Sequence, residues 1–387
     1  MRFFKFILTI LIFSSFLSAG FAVARIFNPP LELEFPVSCQ LEENCWFVNY
    51  PDEDLTKGIR DYKGGKVSRN GKKGIEIVVK TILEEMPVIP AENGEVVFIK
   101  NNVEDNLLDS EDEQKEQSFC GNYVIIEHNN GWKTLYCHLK KDSITVKPGD
   151  FAVEGKEIGQ IGLSGQTEFP HLYFAVLHKG QYFDPFTGIN LSNIKNKEAF
   201  KPFWSVKAKK RFKYKEIALI NTGVSLEAPL LEKIKQGKLE DIKLAQDTPL
   251  FYLWMQGFHL KTGDYMKIKL ENPSGEKILD KVQKISSNDL EQVVFFDIKK
   301  EEEEDWEIGV YKGKIEFMRP DKKVFYEYDV DFEIEKSQEV IDKELAEKEK
   351  LKKNKLIRKR KIKIFKRLND TDKLPDSYTK NELRLWQ

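Results

Sequence analysis

Short runs of β-branched and aromatic residues, punctuated by glycine, asparagine and proline turns, recur along most of the chain and predict strands. Segments 75–79, 94–99, 123–128 and 158–162 form a first group. Segments 213–223, 263–270, 293–296, 314–317 and 324–334 form a second, with Asn272-Pro273-Ser274-Gly275 as a turn between two of them. Several short alternating strands at this spacing predict a β-sandwich, interrupted by one helical insertion near 227–237. Ahead of the first group, residues 25–66 read as a loop-rich entry segment carrying Asn28-Pro29-Pro30 and a polar run at 50–54. Behind the second, residues 339–350 mix both signs of charge with helix-favouring residues. The stretch 352–367, opening on Lys352 and closing on Arg367, holds ten Lys and Arg and no acidic residue. Leu356, Ile357, Ile364 and Phe365 interleave there at near-helical spacing, which predicts a basic helical tail.

At 387 residues the chain is long enough for two or three domains. Lys+Arg 62 against Asp+Glu 63 leave a net charge of −1, which argues against a globally basic nucleic-acid binder and leaves local patches open. Hydrophobic residues at 41% and aromatic residues at 12% suffice for packed cores. Charged residues at 32% call for charged loops and tails, and the acidic stretch 104–116 reads as a solvated loop.

Residues 1–24 have the layout of an export signal. Arg2 and Lys5 precede an apolar run, and Ala22-Val23-Ala24 offers the small-x-small pattern for cleavage after Ala24. A retained N-terminal anchor is the alternative. Either way the expected location is periplasmic or extracellular. Four cysteines, Cys39, Cys45, Cys120 and Cys137, suit an oxidising compartment. Three pairings are open in principle. Two local disulfides, Cys39 with Cys45 and Cys120 with Cys137, are the favoured reading, because 120 and 137 flank neighbouring strand-like runs. A zinc site built from all four is the rival, without a C-x-x-C knuckle to support it.

The stretch from Cys120 to Pro185 carries the chemistry. It contains Cys120-Gly121-Asn122, Tyr136-Cys137-His138-Leu139, Gly162-Leu163-Ser164-Gly165, Pro170-His171-Leu172-Tyr173-Phe174 and Asp184-Pro185, in that order. This order resembles the lysostaphin/LytM-type zinc metallopeptidases, which cut peptide cross-links in peptidoglycan, and is closer still to a secreted branch with Cys-Gly-Asn and Tyr-Cys-His. The resemblance implies a mainly β fold: a LytM-type antiparallel sheet (duplicated-hybrid-motif-like). In that family zinc is held by the His and Asp of a His-x-x-x-Asp motif and the second His of His-x-His. The metal polarises the scissile carbonyl and activates a water, while two further histidines assist. The assisting positions match His138 and His171. The three ligand positions match Lys72, Glu76 and Tyr173, none of which repeats the family's residue.

A Lys ammonium has no lone pair for a metal, tyrosine is a poor ligand near neutrality, and one carboxylate cannot make a three-ligand site. No cofactor is therefore expected. A Lys72–Glu76 ion pair would fill the metal's seat. A rebuilt metal site would draw on Glu76, His138 and His171 with His178 nearby, while His128 stands at the end of the strand-like run 124–127 and His259 in the next domain. The organisation expected is a signal at 1–24, the entry segment at 25–66, a LytM-type domain at 67–200, a β-sandwich at 203–335 and a charged basic helical tail at 336–387. The functional expectation is a non-catalytic homologue that binds peptidoglycan or regulates cell-wall enzymes. The alternative is an active peptidoglycan metalloendopeptidase with a non-standard zinc site. Peptidoglycan or a cell-wall enzyme is the expected partner, with an anionic membrane surface facing 352–367 and no nucleic acid. Trp254 and Phe258 read as core before they read as a ligand platform.

Overall fold

The computed structural model describes residues 26–27, 31–106, 119–193, 199–239, 243–301, 304–320 and 324–369. The expected export signal lies outside these residues, as do most of the acidic stretch and the end of the tail. The chain forms two compact units. One comprises Met1–Ile220 with Ile234–Gly237 and Gly257–His259, and the other comprises Asn221–Lys233, Lys238–Gln256 and Leu260–Gln387.

The first unit is organised by one large antiparallel sheet. Its strands in chain order are β1 (Trp46–Asn49), β2 (Ile75–Val78), β3 (Gly94–Lys100), β4 (Asn122–Glu127), β5 (Trp132–Leu139), β6 (Phe151–Ala152), β7 (His171–His178) and β8 (Gln181–Phe183). Across the sheet they run β1-β2-β7-β5-β4-β3-β6, with β8 paired to β7 beside this path. The central strands β7 and β5 are buried on both faces over most of their length, which is why they read as nearly continuous apolar runs. Strand β4 alternates buried and half-buried positions, and its sequence alternates accordingly.

The entry segment is part of this core. Leu31, Leu33, Phe35 and Val37 bury every second side chain in the cluster that holds Phe47, Ile77, Tyr136 and Phe174. Isolated bridges, Leu33 to Trp204 and Val37 to Val88, hold residues 31–37 in place, and the segment expected to be loop-rich also supplies β1 at Trp46–Asn49. Asp61 ties down the following loop. Its carboxylate accepts from the amides of Lys63, Gly65 and Val67 and from the Tyr214 hydroxyl at 2.7–3.0 Å.

Disulfides join Cys39 to Cys45 and Cys120 to Cys137. The start of the acidic stretch is anchored. Asp105 accepts from the amides of Lys141 and Leu163 at 2.8 and 2.6 Å.

The second unit is a β-sandwich. Its strands are β9 (Ala218–Ser225), which begins in the first unit, β10 (Leu244–Ala245), β11 (Leu250–Phe258), β12 (Tyr265–Glu271), β13 (Lys277–Lys284), β14 (Glu291–Lys299), β15 (Gly309–Met318) and β16 (Val324–Glu335). One sheet has the order β9-β11-β14, the other β10-β16-β15-β12-β13. Strands β12 and β14 alternate as half-buried strands do. Trp254 and Phe258 are both buried, as core residues are. The insertion near 227–237 contains the short helix Leu231–Lys235. After β16 the chain forms one long helix, Gln338–Asn369, of 32 residues. Among the described residues no helix is long and apolar enough to cross a membrane.

Ile77 sits at the centre of the first unit's core with no exposed surface. Ile77→Ala is expected to cost about 2–5 kcal/mol through lost burial and the cavity left behind. Denaturant unfolding at constant m-value measures this.

Candidate functional site

Four strands bring one row of side chains to the same face of the sheet. Glu76 of β2 lies opposite Tyr173 of β7, which lies opposite Cys137 of β5, which lies opposite Tyr123 of β4. Residues directly opposite in antiparallel strands share a face, so this row and its neighbours Lys72, His171 and His138 gather in one place. The structure thus brings together all five residues that the resemblance singles out.

Glu76 is the electrostatic centre of the cluster. Its side chain is 4% exposed and its two oxygens are both engaged. Lys72 Nζ donates to Oε1, and Asn49 Nδ2 donates to Oε2 at 2.5 Å. Burial on its own would raise this carboxyl. The Lys72 ammonium and then His171 outweigh burial and hold it well below the usual carboxylate range. Asn49 lies in a stretch that reads as loop in the sequence. Nothing local marks it as a partner of Glu76, because the pairing of β1 with β2 creates the contact.

Lys72 reaches Glu76 from a turn closed by the bond from its own amide to Arg69 O at 3.0 Å. Its ammonium also lies 5.5 Å from the centroid of the Tyr173 ring, a cation–π distance. Gly74 makes this approach feasible. A Cβ there would lie 2.5 Å from Phe174 O and 2.6 Å from the Tyr173 ring. The Tyr173 phenol is buried, which with Tyr182 and Glu76 nearby pushes it well above 10, so it is a neutral phenol.

The two histidines are oriented by carbonyls. His138 Nδ1 lies 2.8 Å from Ser164 O, and His171 Nδ1 lies 2.8 Å from Phe169 O. Each contact makes Nδ1 the protonated nitrogen in the neutral ring and turns Nε2 toward the cluster. His171 Nε2 stands 3.6 Å from Glu76 Oε1, beyond hydrogen-bond length, and is buried without a hydrogen-bond partner. The ring centroids of the pair are 4.6 Å apart. Burial, then the neighbouring His171, lowers His138 to about 3.

His138 has an unusual backbone. Asn122 pairs with Leu139 and Tyr123 with Cys137, so His138 is the extra residue of a β-bulge. Its φ is 62°, in the left-handed region where a Cβ is unfavourable. Several bonds hold it there. His138 N donates to Cys120 O at 2.8 Å, Gly162 N donates to His138 O at 2.9 Å, and Asn122 Nδ2 donates to Leu139 O at 3.0 Å. Gly121, φ 59°, packs so closely on Ser164 that a Cβ would lie 2.2 Å from its carbonyl. The Cys-Gly-Asn and Tyr-Cys-His motifs are therefore the two sides of this bulge, cross-linked by the Cys120–Cys137 disulfide.

The other histidines serve elsewhere. His128 Nδ1 and Nε2 contact Asn93 O and Thr134 Oγ1, each at 2.8 Å. His178 stacks on Trp132 at 4.5 Å. His259, expected in the second domain, falls in the first unit, where its Nε2 lies 2.5 Å from Val48 O. A protein-bound zinc needs three lone-pair donors with room to converge. The three matched ligand positions offer one carboxylate already bonded through both oxygens, a neutral phenol and an ammonium, a set that does not fit the ion. Among the described residues no three His, Cys, Asp or Glu side chains gather as a metal site would require.

A sheet of this kind, with its Tyr-x-His strand and glycine turns, defines a domain class that the sequence comparison identifies. Residues 70–185 match the profile of Peptidase family M23, so this stretch is an M23 domain. Over 70 residues the chain is 40% identical to the peptidoglycan DD-endopeptidase ShyB of Vibrio cholerae, covering 18% of this chain and 16% of that protein. It is 31% identical over 88 residues to the cell division protein DipM of Caulobacter vibrioides, covering 23% of this chain and 12% of the relative. The chain thus spans under a fifth of the length of these curated relatives. Among solved structures, the catalytic domain of lysostaphin from Staphylococcus simulans aligns at 20% identity and a TM-score of 0.23, over 36% of this chain and 86% of that domain.

Two predictions follow from the charges and the bulge. Lys72→Met leaves Glu76 buried without its ammonium and is expected to cost about 3–5 kcal/mol in denaturant unfolding. His138 has a folded value of about 3 against an ordinary 6.5, so the unfolded chain takes up its proton first. Stability is then lost as pH falls from 6.5 toward 3, and Glu76 adds a loss of the same sign below 4.5. His138→Gly should flatten the upper part of this loss, between 6.5 and 4.5, leaving the share due to His128, which burial also lowers. It should also exceed His138→Ala in stability at neutral pH by about 1 kcal/mol, since glycine accepts the left-handed backbone.

Proposed function

We propose that the M23 domain is zinc-free and non-catalytic, and that this chain acts in the cell envelope by binding peptidoglycan peptides or regulating cell-wall enzymes. The observation that carries the reading is the buried Lys72–Glu76 pair. In the M23 resemblance these are two of the three metal positions, and here an ammonium neutralises the carboxylate that a cation would otherwise meet. Tyr173 takes the third position as a neutral phenol. The relatives named as peptidoglycan DD-endopeptidases and as a cell division protein support peptidoglycan as the setting. Export to the periplasm or the cell exterior, and an anionic membrane as partner of the basic helix, belong to the same proposal.

The site retains means of recognition without hydrolysis. His171 Nε2 is a buried nitrogen without a hydrogen bond, 3.6 Å from Glu76 Oε1, and Phe119 presents a half-exposed ring against Tyr173 and His138 at 5.5 and 6.2 Å. The competing reading, a working metalloendopeptidase, rests on these same two histidines.

Elemental analysis of the purified chain, run beside a peptidoglycan release assay and sedimentation with intact peptidoglycan, separates the readings. Zinc below about a tenth of an equivalent, no release after zinc is added, and co-sedimentation or capture of a cell-wall enzyme are expected. Near-stoichiometric zinc with cleavage of cross-links would overturn the proposal.

A further inference from the structure

The short segment that leads into β7 orients His171. His171 Nδ1 lies 2.8 Å from Phe169 O and 3.1 Å from Thr167 Oγ1, and Thr167 Oγ1 donates to Phe169 O at 2.8 Å. The place of that carbonyl therefore decides which ring nitrogen carries the proton and how the imidazole is tilted. Residues 165–170 lie outside any helix or strand. Pro170 has no N–H to donate, and the Phe169 amide turns back to Thr167 Oγ1 at 3.3 Å. A segment without ladder bonds must be held by side chains from elsewhere.

Those side chains come from three places. Arg69, on the turn that carries Lys72, pairs with Glu168 at 3.3 Å and lies 5.8 Å from the centroid of the Phe169 ring. The other two come from beyond residue 220, from Ile234–Gly237 and Gly257–His259, which belong to the first unit. Lys235 is 8% exposed, and its Nζ donates to Glu168 O at 2.8 Å. An ammonium this deeply buried is retained only with acceptors in place. Its own carbonyl accepts from Ile82 N at 2.9 Å, which ties the lysine to the chain after β2. Phe258, the last residue of β11, is buried and meets the Phe169 ring edge-on at 4.9 Å. The Phe169 ring in turn lies 4.7 Å from that of His171. His259 follows, with Nε2 2.5 Å from Val48 O, one position before the Asn49 that bonds Glu76. A single three-residue segment thus touches both β1 next to Asn49 and the lead-in to His171.

We propose that Lys235 and Phe258 are positioning residues of the M23 site. Through Glu168 O and the Phe169 ring they hold Phe169 O where it keeps the proton on His171 Nδ1 and leaves Nε2 facing Glu76. Neither lies in the matched stretch 70–185, so chain from outside that stretch completes the site. Arg69 is no substitute for them. Its ion pair joins side chains that are 37% and 45% exposed, and pairs so exposed are weak. Losing the Phe258 ring gives Phe169 a cavity to turn into, and losing the ammonium frees the Glu168 carbonyl. Either motion takes the acceptor away from Nδ1. The inference concerns the site of the proposed function but does not depend on its outcome, since what it fixes is the placement of one imidazole.

The test is long-range proton–nitrogen correlation spectroscopy of the full chain labelled at the histidine ring nitrogens, at a pH where the rings are neutral. The chain has five histidines, and the signal missing in His171→Gln identifies His171. The wild-type ring is expected to show one tautomer, protonated at Nδ1. Phe258→Ala and Lys235→Met should each shift the tautomer ratio toward Nε2–H about tenfold, the worth of one buried hydrogen bond. Lys235→Arg keeps a donor for Glu168 O and should retain the wild-type signal. Val88→Ala opens a cavity in the same core, at the bridge to Val37, and controls for lost stability alone. If Phe258→Ala does not fold, the pair Lys235→Met and Lys235→Arg decides. An unchanged His171 signal in the folded variants would overturn the proposal. So would the same change in Val88→Ala, which would mark a general loosening of the core. Peptidoglycan sedimentation of the same variants reads the proposed function separately. Unchanged sedimentation with a shifted His171 signal would support the positioning while counting against His171 as a binding group.

Discussion

A carboxylate sealed within a β-sheet must be neutralised where it stands, and the arrangement around Glu76 follows from that requirement. Desolvation alone would drive it to the protonated form. Lys72 supplies the opposing charge, Asn49 fills the second oxygen, and the Tyr173 ring faces the ammonium. Each partner comes from a different part of the chain, so the cluster also ties together β1, the turn before β2, and β7. A lysine side chain thus cross-links these elements through its bond to Glu76 and its approach to the Tyr173 ring.

The bulge at His138 is the second constraint. Holding a residue with a Cβ at φ 62° costs backbone energy, and four groups converge on it to hold the geometry: Cys120 O, Gly162 N, the Asn122 amide and the disulfide. Strain of this kind persists only where surrounding bonds over-determine it. The imidazole is consequently placed within 4.6 Å of His171 by backbone that cannot readily relax. A fixed pair of imidazoles thus accompanies matched ligand positions unsuited to zinc. This combination separates the architecture of the site from its chemistry, since orientation depends on turns and register while metal affinity depends on three side-chain identities.

The two ends of the molecule handle charge in opposite ways. Inside the first unit each buried charge has partners: Asp61 accepts from three amides and a phenol, and Glu76 from an ammonium and an amide. On the C-terminal helix the described cations of 352–366 are exposed to solvent. Buried charge without compensation is unaffordable, whereas exposed charge is screened within about a Debye length and can be kept for a partner.

Local pattern determined a good deal of this protein. Alternation marked the strands at 94–99, 123–128 and 263–270, the spacing of four cysteines suited two local disulfides, and the all-basic run marked a helix. The ordered motifs from Cys120 to Pro185 carried the M23 resemblance, and residue type alone made Lys72 and Tyr173 poor ligands. Other features depended on contacts between distant segments. The apparent loop at 31–50 packs as core because Trp204 and Val88 lie against it, and Asn49 becomes a partner of Glu76 only through the register of β1 on β2. His138 is left-handed because two strands of unequal length were paired around it, which no neighbour in sequence announces. Periodicity and side-chain chemistry are properties of a few adjacent residues and can be read in order. Register, bulges and buried ion pairs arise when separated strands close on each other, so only the tertiary structure decided them.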